Sequence, residues 1–215
     1  MVLLMRAKNS SSEQRASGRT FTESARRAQI VQAAIEVIAE AGYAKTSFAK
    51  IAKQAGLSST GMISYHFKGK DDLMHEVIAE VMRVAQAYLV PRIEAAEGYR
   101  GRLRAFIESN VELLTVYPKY LPALIEVLTN LKGDDPHRIG YAGALKAMMD
   151  VQEQRMREAQ AAGEFRDFDA QVMVTAMRGA IDGVITRSVH DPDLDITACG
   201  RELADIFDRA TRRTP

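Results

Sequence analysis

Sulfur chemistry has little to work with in this chain, because Cys199 is its single cysteine. One thiol excludes an intramolecular disulfide framework and fits a reducing compartment. No stretch approaches the roughly 18 uninterrupted apolar residues of a membrane span. The opening MVLLM is shorter than a signal-peptide core, and Arg6 and Lys8 follow it rather than precede it. A cytoplasmic protein with no membrane partner is expected. Catalytic patterns are also missing. His66, His75, His137 and His190 are scattered, and His75-Glu76 lacks the second histidine of a helical zinc-protease signature. There is no Gly-rich phosphate loop and no G-x-S-x-G elbow, and Cys199 has no evident histidine partner. No catalytic residue, metal or cofactor is expected.

Alternating strand patterns bounded by hairpin turns are absent too. What remains is helical periodicity. The 215 residues suffice for a substantial core, and 47% hydrophobic with 27% charged residues is ordinary globular composition. The expected fold is all-α with about nine helices.

The net charge of +1 conceals an asymmetry. Residues 1–70 carry 11 Lys/Arg against 4 Glu, a balance of +7, whereas the remainder carries −6. An anionic partner is therefore expected for the N-terminal part alone. Residues 1–20 have no apolar period and read as a disordered basic arm, with Arg6, Lys8, Arg15 and Arg19 either along phosphates or simply solvated. From Thr22, a candidate N-cap, to Ala41 runs the first clear helix; Ile30, Ala34, Val37, Ile38 and Ala41 form its stripe and Gly42 stops it. Arg26 and Arg27 are candidate phosphate contacts.

Thr46 to Lys70, TSFAKIAKQAGLSSTGMISYHFKGK, organises the rest. Phe48, Ile51, Ala52 and Ala55 make an amphipathic stripe, Thr46 or Ser47 can cap it, and Gly56 ends it. Ser58 and Ser59 offer a second N-cap, with Met62, Ile63 and Phe67 facing inward. Ser59, Thr60, Ser64, Tyr65 and His66 are left facing out, a hydrogen-bonding set rather than a Glu/Lys mixture. Two short helices and a tight turn predict a helix-turn-helix whose second helix enters a DNA major groove. Gly61 in mid-helix costs roughly 1 kcal/mol relative to alanine, tolerable where the backbone approaches a phosphate or base edge. Ser59, Thr60 and Ser64 are short enough to reach base edges, and the methyls of Thr60 or Met62 can meet thymine. Tyr65 and His66 can donate to phosphates; the alternative is that Tyr65 packs between helices and His66 caps one.

The run AGLSSTGMISYHFKGKDDL resembles the N-terminal signature of the TetR family of bacterial transcriptional regulators. Gly61, Tyr65-His66-Phe67, Lys70 and Leu73 occupy the family's positions for the recognition-helix glycine, the aromatic group ending in Phe, and the lysine opening helix 4. The turn from Gly56 to Gly61 is one residue longer than the commonest form, and Ser64 stands where many members have tyrosine, which implies altered base preference. The resemblance implies a reading set of Thr46, Ser47, Ser58, Ser59, Thr60, Gly61, Ser64, Tyr65, His66 and Lys70, with Lys70 pairing a phosphate. It also implies a DNA-binding domain over 21–70 and a helical ligand-binding and dimerisation domain over 71–215.

Beyond Lys70 a stripe of Leu73, Val77, Ile78, Val81, Ala85 and Leu89 predicts a long helix that Pro91 ends or kinks. Further helices are expected over about 100–116, 119–131, 138–162, 169–189 and 195–213, separated by Pro118, Gly133-Asp134-Asp135-Pro136, Gly163 and Asp191-Pro192-Asp193. Small residues Ala176, Gly179, Ala180 and Gly183, with Ile196, Leu203, Ile206 and Phe207 further on, suit either close packing within one subunit or the family's homodimer interface. Met148, Met149, Met156, Met173 and Met177 suit a core or an adaptable pocket. By family analogy Phe106, Asn110, Tyr117, Tyr141, Met148, Met149 and Met177 line a cavity for a small-molecule effector. The implied function is a repressor released from a palindromic double-stranded operator by that effector. A regulator without an effector, and a helical ligand-binding or enzymatic protein with a non-functional DNA-binding domain, are the alternatives.

Overall fold

The computed structural model describes the backbone of residues 6–191 and 193–213, and side chains from residue 22 onward apart from 189, 190 and 192. Pro192 lies outside the described residues. Nine helices are found among them: α1 (Arg6–Ala41), α2 (Phe48–Gln54), α3 (Gly61–His66), α4 (Lys70–Ala95), α5 (Gly98–Val116), α6 (Tyr120–Asn130), α7 (Pro136–Ala161), α8 (Ala170–His190) and α9 (Ile196–Thr211). No strand occurs among the described residues, only an isolated bridge between Phe165 and Arg212. The all-α expectation holds.

Two compact units divide between Val77 and Ile78, inside α4. In the first, α1 begins earlier than its apolar stripe does. Residues 6–20, read as an arm, belong to the helix, so Thr22 is not its N-cap. No proline interrupts 6–41, and extending a helix that is already nucleated costs little per residue. The expected roles of Arg6, Lys8, Arg15 and Arg19 fall on side chains outside those described. Gly42 stops α1 in the left-handed region at φ 78°. Ile30, Ala34 and Ile38 of α1 are fully buried, as are Ile51 of α2, Ile63 of α3 and Leu73 at the start of α4. Phe67 closes this core. Asp72 accepts from the Lys68 amide at 2.9 Å, satisfying one of the free donors at the head of α4.

The second unit packs around Phe106 and Ile107 of α5, Met156 of α7, Met177 and Ile181 of α8, and Phe207 of α9. Gly200 lets α9 lie directly on α5; an added Cβ there would sit 3.4 Å from Val111. Asp135, Asp169 and Asp195 cap α7, α8 and α9 by accepting from backbone amides of the first turn. Pro91 neither ends α4 nor marks its boundary, because the helix continues to Ala95. Proline removes one backbone donor in mid-helix, and next to it the Arg92 guanidinium donates to the Tyr88 carbonyl at 2.9 Å.

Candidate nucleic-acid interface and ligand cavity

The first unit presents α3 and the loop before it. Ser58, Ser59, Thr60, Gly61, Ser64 and Tyr65 are all exposed, Tyr65 by 73%. The hydroxyls of Ser58, Ser59 and Thr60 have no partner among the described residues, and Ser64 makes only a 3.5 Å bond back to the Thr60 carbonyl. Donors and acceptors left free on a short helix are what base edges and phosphates require. Tyr65 does not pack between helices; its ring meets only His66, edge to face at 5.0 Å.

Several positions differ from the sequence expectation. The α3 N-cap is Thr60, not Ser58 or Ser59, and it makes no side-chain capping bond. Gly61 is therefore the first helical residue rather than a mid-helix one. An added Cβ would meet nothing nearer than the Ser59 hydroxyl at 3.5 Å, so packing within the chain does not demand glycine there. Met62 is 40% exposed instead of buried, because the six-residue helix turns only Ile63 and the capping Phe67 inward. Ser47 caps α2, accepting from the Lys50 amide at 3.4 Å. Thr46 is 5% exposed, and its hydroxyl donates to the Gly42 carbonyl at 2.8 Å. It braces the turn and is not available to DNA.

Two cations expected at phosphates hold the unit together instead. Lys70 donates to the Tyr43 carbonyl at 2.8 Å and lies 3.9 Å from the centre of its ring. Arg27 donates to the His66 carbonyl at 2.8 Å, stacks 4.3 Å over Phe67 and pairs with Glu76. It thus ties the end of α3 to α4. Arg26 bonds Gln29 at 2.7 Å on its own helix. The free positive charge sits on Lys45, Lys50, Lys53 and Lys68, exposed and without an ion pair among the described residues. The charge count contained these lysines, but residue type alone does not distinguish them from Lys70.

The second unit contains a cavity of about 340 Å³ bounded by α4 to α8, within the range of small-molecule sites, about 300–1,000 Å³. Its walls are mainly apolar: Val84 and Leu89 of α4, Leu113 of α5, Leu121 and Leu124 of α6, and Ile185 of α8. Phe106, Asn110, Tyr117, Tyr141 and Met148 line it. Met149 and Met177 do not: Met177 is 1% exposed in the core, and Met149 packs against that core. Missed beforehand were the α4 residues, Gln152, Arg155 and Arg178. An apolar stripe gives no sign that it faces a void rather than another side chain.

Polar groups are few and mostly engaged. The Asn110 amide donates to the Phe106 carbonyl at 2.8 Å, which leaves its oxygen for a ligand. Arg178 pairs with Asp182. Burial raises the Tyr141 phenol above its ordinary value, with Arg178 opposing. Tyr117 stands edge-on to Tyr88 at 6.0 Å and tilted against Tyr120 at 5.1 Å. Tyr88 donates to Glu112 at 2.6 Å, and burial followed by that carboxylate pushes its phenol up to about 12. No group of three or more His, Cys, Asp or Glu that could hold a metal ion occurs among the described residues. No described helix is long and apolar enough to cross a membrane.

Along α8 an open face carries Val172, Ala176, Gly179 and Gly183, all exposed, Val172 by 64%. Nothing lies within 4 Å of a Cβ added at Gly179 or Gly183. Ile206 of α9 is also 47% exposed.

Comparison with known proteins bears directly on the first unit. A model of bacterial regulatory proteins of the tetR family matches residues 30–77. The transcriptional regulator BetI 1 of Chromohalobacter salexigens is 36% identical over 88 residues, 40% of this chain and 43% of that protein. The alignment thus spans less than half of that regulator. The fatty acid metabolism regulator protein of Bacillus subtilis is 27% identical over 181 residues, 83% of this chain and 92% of that protein. A transcriptional regulator FadR from Bacillus subtilis, solved with stearoyl-CoA, superimposes with a TM-score of 0.69 at 25% identity, covering 83% of this chain and 96% of its own. The helix-turn-helix of α2 and α3 thus lies within the segment that matches the tetR family of bacterial regulatory proteins, and the likeness to that family rests on this segment.

Proposed function

We propose that this protein is a sequence-specific transcriptional regulator, a homodimeric repressor that a small molecule releases from a two-fold operator. The observation that carries the reading is the polar face of α3. With the loop that leads into it, that face leaves Ser58, Ser59 and Thr60 without internal partners, and among the described residues Lys45, Lys50, Lys53 and Lys68 are exposed and without an ion pair. Hydroxyls would read base edges while the lysines neutralise phosphates. The open small-residue face of α8 suits a second copy of the chain, since helices approach closely where side chains are small. That copy would supply the second reading head.

The cavity suits an effector. Residues 70–77 of α4 help form the reading unit's core, and Val81 to Ile93 of the same helix line the cavity. A ligand that favours one position of α4 would change the spacing of the reading heads. The shift requires different ligand affinities for the two spacings.

Selection of bound sequences from a random DNA pool tests the reading. A two-fold site is expected, with affinity falling steeply as salt rises. Lys50→Ala should weaken binding to every sequence and lower the salt slope by about 1. Ser64→Ala should change which bases are preferred. A binding curve indifferent to salt would favour a helical ligand-binding protein whose N-terminal unit no longer reads DNA.

A further inference from the structure

The cavity narrows the chemistry of its occupant at one end. Where α4 approaches its C-terminus, Ile93, Glu94 and Arg155 border both the apolar cavity and a second recess of about 300 Å³, which Arg102 of α5 completes. Arg102 and Arg155 make no hydrogen bond or ion pair among the described residues. Arg102 is exposed, and the other cavity arginine, Arg178, is matched by Asp182. Glu94 faces the same recess, also unpaired, so two guanidinium groups stand against one carboxylate. Arg155 is partly withdrawn from solvent. An unpaired guanidinium there gives up hydration for no internal return, and its planar fork fits a carboxylate or phosphate. Beyond it the walls are mainly Leu, Val, Ile and Phe, which favour an apolar group.

A cationic occupant meets the opposite situation. Tyr117, Tyr120 and Tyr141 on the wall resemble part of a box for a quaternary ammonium, but Tyr117 and Tyr120 pack on each other at 5.1 Å, and Tyr88 behind them already carries the Arg92 guanidinium 3.6 Å from its ring centre. Arg155, with Arg102 beyond it, sets two positive charges against the single Glu94 carboxylate at this end.

We infer that the effector is an amphiphile with an anionic head, its tail in the α4–α8 cavity and its carboxylate or phosphate held between Arg102 and Arg155. This rests on the effector reading above and gives it a chemical class.

Direct calorimetry on the full chain tests it with four probes sharing one tail: decanoate, decanol, decyltrimethylammonium and decanoyl-CoA. Decanoate should bind roughly tenfold more tightly than decanol, the scale of a partly exposed charge-assisted contact. The ammonium should bind most weakly. In the double variant R102Q/R155Q the ratio of decanoate to decanol affinity should fall to about one; because Arg155 also borders the cavity, it is this ratio that separates loss of the head contact from loss of the cavity. Tighter binding of decanoyl-CoA than of decanoate, again lost in the variant, supports a phosphate-bearing head; the reverse order supports a free carboxylate. Equal binding of charged and uncharged probes, or an anion preference that survives in the variant, overturns the assignment. Operator release is measured separately. A probe that binds but leaves DNA affinity unchanged removes the regulatory reading and keeps the ligand class. Release by decanol or the ammonium alone does the reverse.

Discussion

The reading unit and the body use polar and apolar groups in opposite ways. Around α3 the interior is filled, and cations that resemble DNA contacts, Arg27 and Lys70, serve as internal struts. The free polar groups lie outside. In the body the apolar surface is left incomplete, around an internal cavity and along the outer face of α8. A unit that must offer a fixed array of donors gains from rigidity. A unit that must respond to a ligand needs space and a structure that can repack around it.

Removing Phe67 should break this contrast most severely. It is 2% exposed, and Phe67→Ala should cost about 3–5 kcal/mol. DNA binding should disappear, whereas calorimetric ligand binding by the body should persist. Loss of both would show that the two units do not fold independently. Next in size is Arg27→Ala, which deletes the His66 bond, the Phe67 stack and the Glu76 pair. The pair is about one-third exposed on both sides and is discounted accordingly, so the total should be about 1–2 kcal/mol. Operator affinity should fall in a gel-shift titration without a change in base preference. A shifted consensus would instead make Arg27 a reader.

Filling the cavity should have a smaller effect on folding and a selective one on response. Leu113→Phe should alter thermal stability by less than about 1 kcal/mol, since added atoms enter empty space. Ligand titration should then no longer release DNA, while operator binding remains. The mildest effect concerns pH. Arg100 holds the Asp208 carboxyl below its ordinary value of 3.8 through a bidentate bond at 2.7 and 2.8 Å, and Arg104 does the same for Asp205. A depressed folded value means this contribution is present above the ordinary value and is lost as pH falls through the lowered one. Thermal unfolding followed downward from pH 5 should show part of the loss between those values, and Asp208→Asn should flatten it.

Helical periodicity made Ile30, Ile51, Ile63, Phe67 and Leu73 recognisable as core, because burial on a helix repeats at a fixed spacing. Phe106, Asn110, Tyr117, Tyr141 and Met148 were placed at the cavity by family analogy. The failures share a cause. Lys70 meets Tyr43, and Arg27 meets His66 and Glu76, at separations that no local pattern encodes. Met62 points outward because the six-residue α3 turns only Ile63 and the capping Phe67 inward. Pro91 was expected to end or kink α4, and the helix runs through it to Ala95.

By itself, then, the sequence determined the all-α class, the helix-turn-helix and the basic segment that carries it. Local propensity, periodic burial and formal charge need no knowledge of distant partners. Only the tertiary structure decided which cations are struts and which are free, which methionines pack rather than line a cavity, and where the unpaired Arg155 borders an apolar cavity. Each of these depends on groups brought together from separate helices.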